Sequence, residues 1–245
     1  MIRPRIAIPE PTSTDVEYNQ RSWPQYAEAV EAVGGEAVMI PLMASPTEVA
    51  RLAGSCEGVL LPGSGADVNP QKYGHSRIPE CAPADSPREA VDELLMQDAA
   101  NLHKPLLGIC YGTQSWNVWR GGTLIQDLNT PVNHKPGRQV REAHRVFVDP
   151  GSRIAKITGQ TELTVNSSHH QALDQPGDGL SVVARSVEDN VIEAVEGRGD
   201  QFVIGVQWHP ERTFDSSPAS RALFTAFVEA AAKWHPREIR ESVAK

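Results

Sequence analysis

The chain has 245 residues, of which 40% are hydrophobic and 22% charged, and its formal net charge is −8 at pH 7. This length suits one large domain, or two small ones, with a sizeable core. Because the chain is acidic overall and has no basic run, we expect no nucleic-acid partner. No apolar stretch approaches the roughly 20 residues that span a bilayer.

The cysteines and the N-terminus indicate the compartment. Cys56, Cys81 and Cys110 are odd in number and widely spaced, so they do not suggest a disulfide framework. Residues 1–9 contain no long apolar segment and no cleavage-like site, and they are expected to form a first strand rather than a signal peptide. We therefore expect a cytoplasmic protein without a membrane partner.

The first half of the chain alternates short apolar runs with helical periods. Strands are predicted at 5–8, 37–40, 58–61 and 105–109, and helices at 23–33, 49–52, 91–102 and 112–119. A surface loop rich in proline, serine and charge is predicted at 69–87. Continuous apolar strands indicate burial on both faces, which is typical of a parallel sheet between two helical layers.

The pattern changes after Gly121, where strand-like segments follow one another closely. Strands are predicted at 140–148, 161–165, 180–185, 191–195 and 202–207, then a helix at 223–234 and a frayed tail at 236–245. With no internal repeat and no long linker, residues 1–245 are predicted to form a single α/β domain. Its fold is expected to be a three-layer αβα sandwich with a mainly parallel central sheet and a small antiparallel extension.

The most specific local signal is Gly108-Ile109-Cys110-Tyr111-Gly112, which lies between an apolar strand and a helix. It is the cysteine counterpart of the Gly-x-Ser-x-Gly nucleophile elbow. The helix N-terminus is expected to lower the thiol pKa below its free value of about 8.5, and the Tyr111 amide is expected to face a developing oxyanion. A lone cysteine here would be interpreted as a buried core residue, but the flanking glycines favour a nucleophile.

A second signal is Trp208-His209-Pro210-Glu211, at the end of an apolar strand. Side chains two residues apart on an extended segment point the same way. His209 can take the thiol proton, and Glu211 can orient the imidazole. Alone, this pair could simply be solvated at a strand end; beside a cysteine elbow it predicts a triad.

Two further segments offer polar groups. Pro62-Gly63-Ser64-Gly65 follows a buried strand and could supply a second oxyanion donor, although an ordinary glycine turn remains open and no Gly-Lys-Ser/Thr supports phosphate binding. The segment from Val165 to Gln171, with Ser167, Ser168 and His169, fits a substrate edge or a structural turn equally well.

The second half of the chain contains the histidines His144, His169, His170 and His209, which could instead bind a metal ion. Adjacent histidines on an extended chain point apart, and no cysteine or carboxylate partner has ligand spacing. We therefore expect neither a metal nor another cofactor.

Together these segments resemble the class I glutamine amidotransferase-like superfamily, and within it the free-standing hydrolases of the peptidase C26 group. The group includes gamma-glutamyl-gamma-aminobutyrate hydrolases and gamma-glutamyl hydrolases. The matching segments cover nearly the whole chain in family order: 61–64, 108–114, 121–127, 166–171 and 205–211.

The resemblance implies a flavodoxin-like fold and a Cys110–His209–Glu211 triad. It also implies an oxyanion hole made by the Gly63–Gly65 loop and the Tyr111 amide. Gln114 and the segment Ser167–His169 would hold the glutamyl group of a small substrate. The implied reaction cleaves a γ-glutamyl amide through a thioester on Cys110.

Two positions depart from the hydrolase pattern. Tyr111 stands where the branch usually has arginine, as in synthetase-coupled domains, and this leaves the choice of substrate open. The branch also tends to show an Arg-Asp pair and a later glutamate, whereas here Arg88 precedes Glu89 and Asp92 takes the later acidic place.

Three other functions compete with that of a γ-glutamyl amide hydrolase. A glutaminase subunit that delivers ammonia to a separate synthetase is the main alternative, and a homodimer is also compatible with the sequence. A non-enzymatic stress or chaperone module that shares the elbow is disfavoured by the intact His209-x-Glu211. A serine-type α/β-hydrolase is disfavoured because its acid precedes its histidine along the chain.

Overall fold

The computed structural model describes residues 3–236 and shows the expected alternation of strands and helices. The first half contains β1 (Arg5–Pro9), α1 (Val16–Ala32), β2 (Glu36–Ile40), α2 (Pro46–Gly54), β3 (Gly58–Leu61), α3 (Ser86–Leu102), β4 (Leu106–Ile109) and α4 (Tyr111–Trp119). The second half contains β5 (Leu124–Ile125), β6 (His144–Val148), α5 (Arg153–Thr158), β7 (Glu162–Val165), β8 (Ala172–Leu173), β9 (Leu180–Ser186), β10 (Ile192–Gly197), β11 (Val203–Val206) and α6 (Pro218–Lys233). Single 3-10 turns lie at Pro70–Tyr73 and Pro210–Arg212.

Local capping fixes where several helices begin. Asp15, Ser45, Asp85 and Ser217 each accept a hydrogen bond from the amide three residues ahead, which satisfies an otherwise orphaned donor. Helix α1 therefore starts at Val16, well before the first residue of its apolar period, because its opening turn is polar and carries no periodic signal.

One 11-stranded sheet carries all the described strands, in the order β2-β1-β3-β4-β11-β10-β9-β6-β7, with β8 beside β10 and β5 beside β8. The strands from β2 to β11 in this order are parallel, and the remaining pairs are antiparallel. The mixed α/β fold is thus confirmed. The antiparallel part continues the edge of the parallel sheet rather than forming a separate unit.

Two apolar layers cover the sheet. On one face α1, α5 and α6 pack through residues such as Val30, Ile154 and Phe227. On the other face α2, α3 and α4 pack through residues such as Val49 and Leu95. This confirms the predicted three layers, since the inner parallel strands β1, β3, β4 and β11 are buried from both sides.

Some details differ from the sequence predictions. Residues 140–143 are not in a strand, and β5, β8 and α5 have too few periodic residues to be predicted. The tail predicted at 236–245 lies outside the described residues from residue 237 onwards. Within residues 3–236, no helix combines the length and apolar character needed to cross a membrane.

The register of the parallel strands positions three loops. Leu61 of β3 pairs with Gly108 of β4, and Ile109 of β4 pairs with Val206 of β11. The carboxyl ends of these neighbouring strands therefore lie at one edge, where ligands bind in open α/β sheets. The segments that follow them contain the glycine loop, the cysteine elbow and the His-x-Glu pair.

A buried arginine holds two loops at this edge. Arg88 is fully buried, and its Nε donates to Asp92 Oδ1 at 2.7 Å. Its other nitrogens donate to the carbonyl oxygens of Pro11 and Pro62, at 2.8 and 2.7 Å. The guanidinium also lies 4.9 Å from the ring centroid of Tyr111. Tyr111 is thus packed inward against this cation.

We predict that Arg88→Leu lowers the free energy of unfolding by about 3–5 kcal/mol, because it leaves Asp92 buried and unpaired. Urea unfolding monitored by circular dichroism measures this change in the free energy of unfolding. The Arg88→Leu/Asp92→Leu double variant should recover part of the loss, since no charge is then stranded. A double variant no more stable than the single one would show that the ion pair is not the cause.

Candidate active site

The junction of β4 and α4 forces Cys110 into a strained backbone conformation. Its φ of 52° is unusual for a residue other than glycine. A Cβ at Gly112 would lie 2.1 Å from the carbonyl oxygen of Leu61, and one at Gly108 would lie 3.0 Å from the Thr113 nitrogen. The elbow therefore requires glycine at position 112 and disfavours a side chain at position 108, in agreement with the sequence pattern.

The thiol of Cys110 is buried, and this decides its charge. Burial raises the pKa of the thiol to about 12, although Arg212 and the amide of Tyr111 act to lower that pKa. The expected lowering of the pKa by the helix N-terminus is wrong for this structure, because desolvation outweighs it. The resting residue is a neutral thiol, so it needs a base before it can attack.

His209 is arranged to be that base. Its Nδ1 lies 2.7 Å from Glu211 Oε1, which fixes the tautomer with the proton on Nδ1. Its Nε2 has no hydrogen-bond partner within the described part of the chain. Burial lowers the pKa of His209 to about 4, even though Glu211 acts to raise it. The imidazole is therefore neutral near pH 7 and able to accept a proton.

Asn166 clamps the backbone of His209. Its side-chain nitrogen donates to the His209 carbonyl at 2.7 Å, and its side-chain oxygen accepts from the His209 amide at 2.8 Å. The sequence placed Asn166 in a matching segment but did not reveal this role, because the partner lies 43 residues away. Asn166 thereby fixes where the imidazole stands.

The structure brings Cys110 and His209 together around Gly63. A Cβ at Gly63 would lie 2.9 Å from His209 Cε1 and 3.7 Å from Cys110 Cβ. Cys110 and His209 also line one cavity of about 630 Å³. The third triad member, Glu211, lies behind His209 and away from this cavity, as an orienting residue should.

The glycine loop supplies fewer donors than expected. The Gly63 amide donates to the hydroxyl of Tyr26 at 3.1 Å, so it is already engaged. Ser64 and Gly65 line the cavity, and their amides remain as candidates. The Tyr111 amide faces the Cys110 sulfur, where it would favour negative charge.

Gln114 lines the cavity, but its amide nitrogen is committed to the protein. It donates to the carbonyl of Gln171 at 3.0 Å and to Gln207 Oε1 at 3.1 Å. Only its side-chain oxygen is left for a ligand. Gln114 therefore joins α4 to the β11 edge as well as facing the cavity.

The residues of the segment Ser167–His169, which was predicted to contact the substrate, do not all face the cavity. Ser168 and His169 line the cavity. Ser167 does not, because it is buried and its hydroxyl donates to the carbonyl of His134 at 2.8 Å. His169 contributes a ring face, since its Nδ1 bonds to the Gln171 carbonyl at 2.9 Å.

Several charged residues of the cavity were not predicted from the sequence. Cationic and aromatic side chains line one part, namely Tyr18, Arg21, Arg138 and Arg212, and Lys135 lies near His170. Burial and the neighbouring Arg212 lower the pKa of Arg138, whose guanidinium hydrogen-bonds Gln25 at 3.0 Å. These residues come from α1 and from loops without motif spacing, so no sequence signal marked them.

Acidic groups lie at another part of the same cavity. His170 stands between two carboxylates, with its Nε2 3.0 Å from Asp67 and its Nδ1 2.9 Å from Asp127. Glu80 also lines this part. A cavity with both cationic and anionic groups suits a ligand that carries both charges.

Known proteins resemble this chain over most of its length. The sequence profile described as Peptidase C26 matches residues 8–211. A putative glutamine amidotransferase of Mycobacterium tuberculosis is 38% identical over 217 residues, which are 87% of this chain and 68% of that protein. The gamma-glutamyl-gamma-aminobutyrate hydrolase of Escherichia coli K12 is 30% identical over 217 residues, or 84% of each chain.

A solved structure shares the fold. A putative GMP synthase subunit from Thermoplasma acidophilum superposes with a TM-score of 0.66 over 95% of this chain and 96% of that one, at 15% identity. At this identity the likeness concerns the fold alone. The profile match and the two relatives show that this chain belongs to the Peptidase C26 family of glutamine amidotransferase-like hydrolases.

Proposed function

We propose that this chain hydrolyses the γ-glutamyl amide bond of a small γ-glutamyl compound through a thioester on Cys110. The observation that carries the proposal is the meeting of Cys110 and His209 in one cavity, with Glu211 2.7 Å behind the imidazole. A nucleophile, a base and an orienting carboxylate are the parts that acyl transfer needs.

The first half of the reaction begins with a neutral thiol and a neutral imidazole. His209 Nε2 takes the proton as the Cys110 sulfur bonds to the γ-carbonyl carbon, and Glu211 stabilises the imidazolium. The amide of Tyr111, with that of Ser64 or Gly65, receives the oxyanion. The carbon–nitrogen bond then breaks, and the amine leaves with the proton from His209 Nε2.

The second half returns the enzyme to its resting state. Water enters where the amine left, and His209 Nε2 takes a proton from it as its oxygen bonds to the thioester carbon. The carbon–sulfur bond breaks, glutamate leaves, and the proton passes from His209 to the sulfur. Both halves use the same base and the same oxyanion donors.

The cationic part of the cavity favours an amine that carries an acidic group. Arg21, Arg138 and Arg212 lie near one another, and like charges at such a place are stabilised by an anion. The E. coli relative is named for γ-aminobutyrate, an amine of this kind. Ammonia, the product of a glutaminase subunit, carries no such acidic group.

The nucleophile can be tested by substitution. We predict that Cys110→Ala lowers kcat/KM by at least about 10⁴-fold toward γ-glutamyl-γ-aminobutyrate, because no thioester can form. Release of the amine measures the rate, and mass spectrometry of rapidly quenched wild type should show a γ-glutamyl adduct on Cys110. Cys56→Ala, at a buried cysteine outside the cavity, is the control and should keep activity. Equal rates for wild type and Cys110→Ala would refute the proposal.

The pH dependence follows from the base. Because His209 must be neutral and its pKa is lowered to about 4, kcat/KM should stay level as the pH falls from about 8 and decline only as it nears 4. Rates are measured only where circular dichroism shows the protein folded. An acid limb near the ordinary histidine value of 6.5 would contradict the assignment.

The role of the cationic part of the cavity, which contains Arg138, can be tested with two substrates. Arg138→Gln should lower kcat/KM for γ-glutamyl-γ-aminobutyrate roughly 10- to 100-fold, the loss of one charge-assisted hydrogen bond. The rate for γ-glutamyl-ethylamide, whose amine has no carboxylate, should change little. Arg141→Gln, at an exposed arginine outside the cavity, is the control. An equal loss for both substrates would place the role of Arg138 on the glutamyl group instead.

A further inference from the structure

Three histidines and a glutamate meet beneath the active-site cavity. His134 comes from the loop before β6, His144 from β6, His169 from the segment after β7, and Glu193 from β10. They are 4%, 6%, 4% and 0% exposed. We refer to His134, His144, His169 and Glu193 as the histidine–glutamate cluster. Four separate parts of the chain thus place titratable side chains in one dry site.

The distances from Glu193 to the three histidines are near those between ligands of one metal ion, and the shortest of them is also that of a hydrogen bond. Glu193 Oε1 lies 3.0 Å from His144 Nε2, 3.5 Å from His134 Nδ1 and 3.7 Å from His169 Nε2. His134, His144 and Glu193 offer three ligand atoms within 4.8 Å of one another. Ligand atoms about 2.0–2.1 Å from a tetrahedral zinc ion stand roughly 3.3–3.4 Å apart.

Hydrogen bonding leaves lone pairs facing each other at His134. Its Nε2 lies 2.9 Å from Asp189, a carboxylate that can only accept, so the ring proton stands on that side. Its Nδ1 then presents a lone pair to the carboxylate of Glu193. Ser167, 3.5 Å from the same nitrogen, gives its proton to the His134 carbonyl at 2.8 Å. Two acceptors therefore face one another unless a metal ion or an added proton lies between them.

His169 repeats this arrangement from another side. Its Nδ1 donates to the carbonyl of Gln171 at 2.9 Å, which leaves Nε2 as an acceptor toward Glu193. That Nε2 and Glu193 Oε2 are buried without a hydrogen-bond partner among residues 3–236. An imidazole whose outer nitrogen donates to a carboxylate or carbonyl is the usual form of a metal-ligating histidine.

We propose that the histidine–glutamate cluster binds one divalent transition-metal ion of the Zn²⁺ type. The ligands are His134 Nδ1, His144 Nε2 and Glu193 Oε1, from the three residues whose ligand atoms lie within 4.8 Å of one another, and His169 Nε2 lies beside them, 3.7 Å from Glu193. A water molecule in the fourth position would complete the tetrahedral coordination that Zn²⁺ prefers. Imidazole nitrogen with one carboxylate suits Zn²⁺, and Co²⁺ as its spectroscopic substitute.

The site would fix the loop between β5 and β6 onto the sheet. Lys135 and Arg138 of that loop line the catalytic cavity, and His134 lies beside them. The bound ion would thereby hold Lys135 and Arg138 in place, while His169, 3.7 Å from Glu193, connects the cluster to the cavity lining. The absence of a metal expected from the sequence is revised by this proposal, because His134 and Glu193 reach His144 only through the fold.

The test uses the untagged full chain carrying Cys110→Ala, so that the catalytic thiol cannot bind the metal. Co²⁺ is titrated into protein that has been stripped with chelator, and visible absorption is recorded. We expect one equivalent to give the intense bands of tetrahedral Co²⁺ without a thiolate charge-transfer band, and one equivalent of Zn²⁺ to remove them. In this background His144→Ala and Glu193→Ala should lose the bands. His75→Ala, at an exposed histidine, should keep them.

A stability measurement tests the proposal even if the His144 and Glu193 variants fail to fold. Chelator treatment of the Cys110→Ala protein should lower its Tm, and one equivalent of Zn²⁺ should restore it. If this protein binds neither Co²⁺ nor Zn²⁺ stoichiometrically and chelator leaves its Tm unchanged, the cluster holds extra protons instead and the proposal is overturned. Bands that persist in folded His144→Ala and Glu193→Ala would overturn it too, since the ion would then lie elsewhere.

Discussion

The close approach of Gly112 to the carbonyl of Leu61 is the constraint on which the site depends. No side chain fits at position 112, because a Cβ would overlap that oxygen at 2.1 Å. This contact lets α4 begin directly over β3 and turns Cys110 to a positive φ. The thiol is thereby placed at the crossing of the three loops that follow β3, β4 and β11.

Buried polar groups that take no part in the proposed reaction keep those loops in place. Arg88 binds the carbonyls of Pro11 and Pro62, Asn166 clamps both backbone groups of His209, and the Tyr26 hydroxyl accepts from Gly63. Each of these buried groups would be costly to leave unpaired. Their combined effect is that the scaffold sets the positions of Cys110, His209 and Glu211 before a ligand arrives.

The sequence predicted the parts of the protein that depend on local pattern. The elbow at Cys110 was readable because its glycines, strand and helix are adjacent along the chain. His209 and Glu211 were readable because two residues on one strand end must point together. The cationic part of the cavity, with Arg21 and Arg138, was not predictable, since its members meet only through tertiary packing. The pKa of Cys110 was also misjudged, because burial cannot be known from a motif.

The neutral resting state of Cys110 has a consequence for the protein's resistance to damage. Peroxides and electrophiles react with thiolates rather than thiols. With its pKa raised to about 12, the unliganded nucleophile offers such reagents almost no reactive form. In the proposed reaction, the thiol becomes nucleophilic only as His209 takes its proton during attack on a bound carbonyl. Under the proposed mechanism, burial would thus protect the cysteine between turnovers, and oxidative inactivation would be tied to the catalytic cycle.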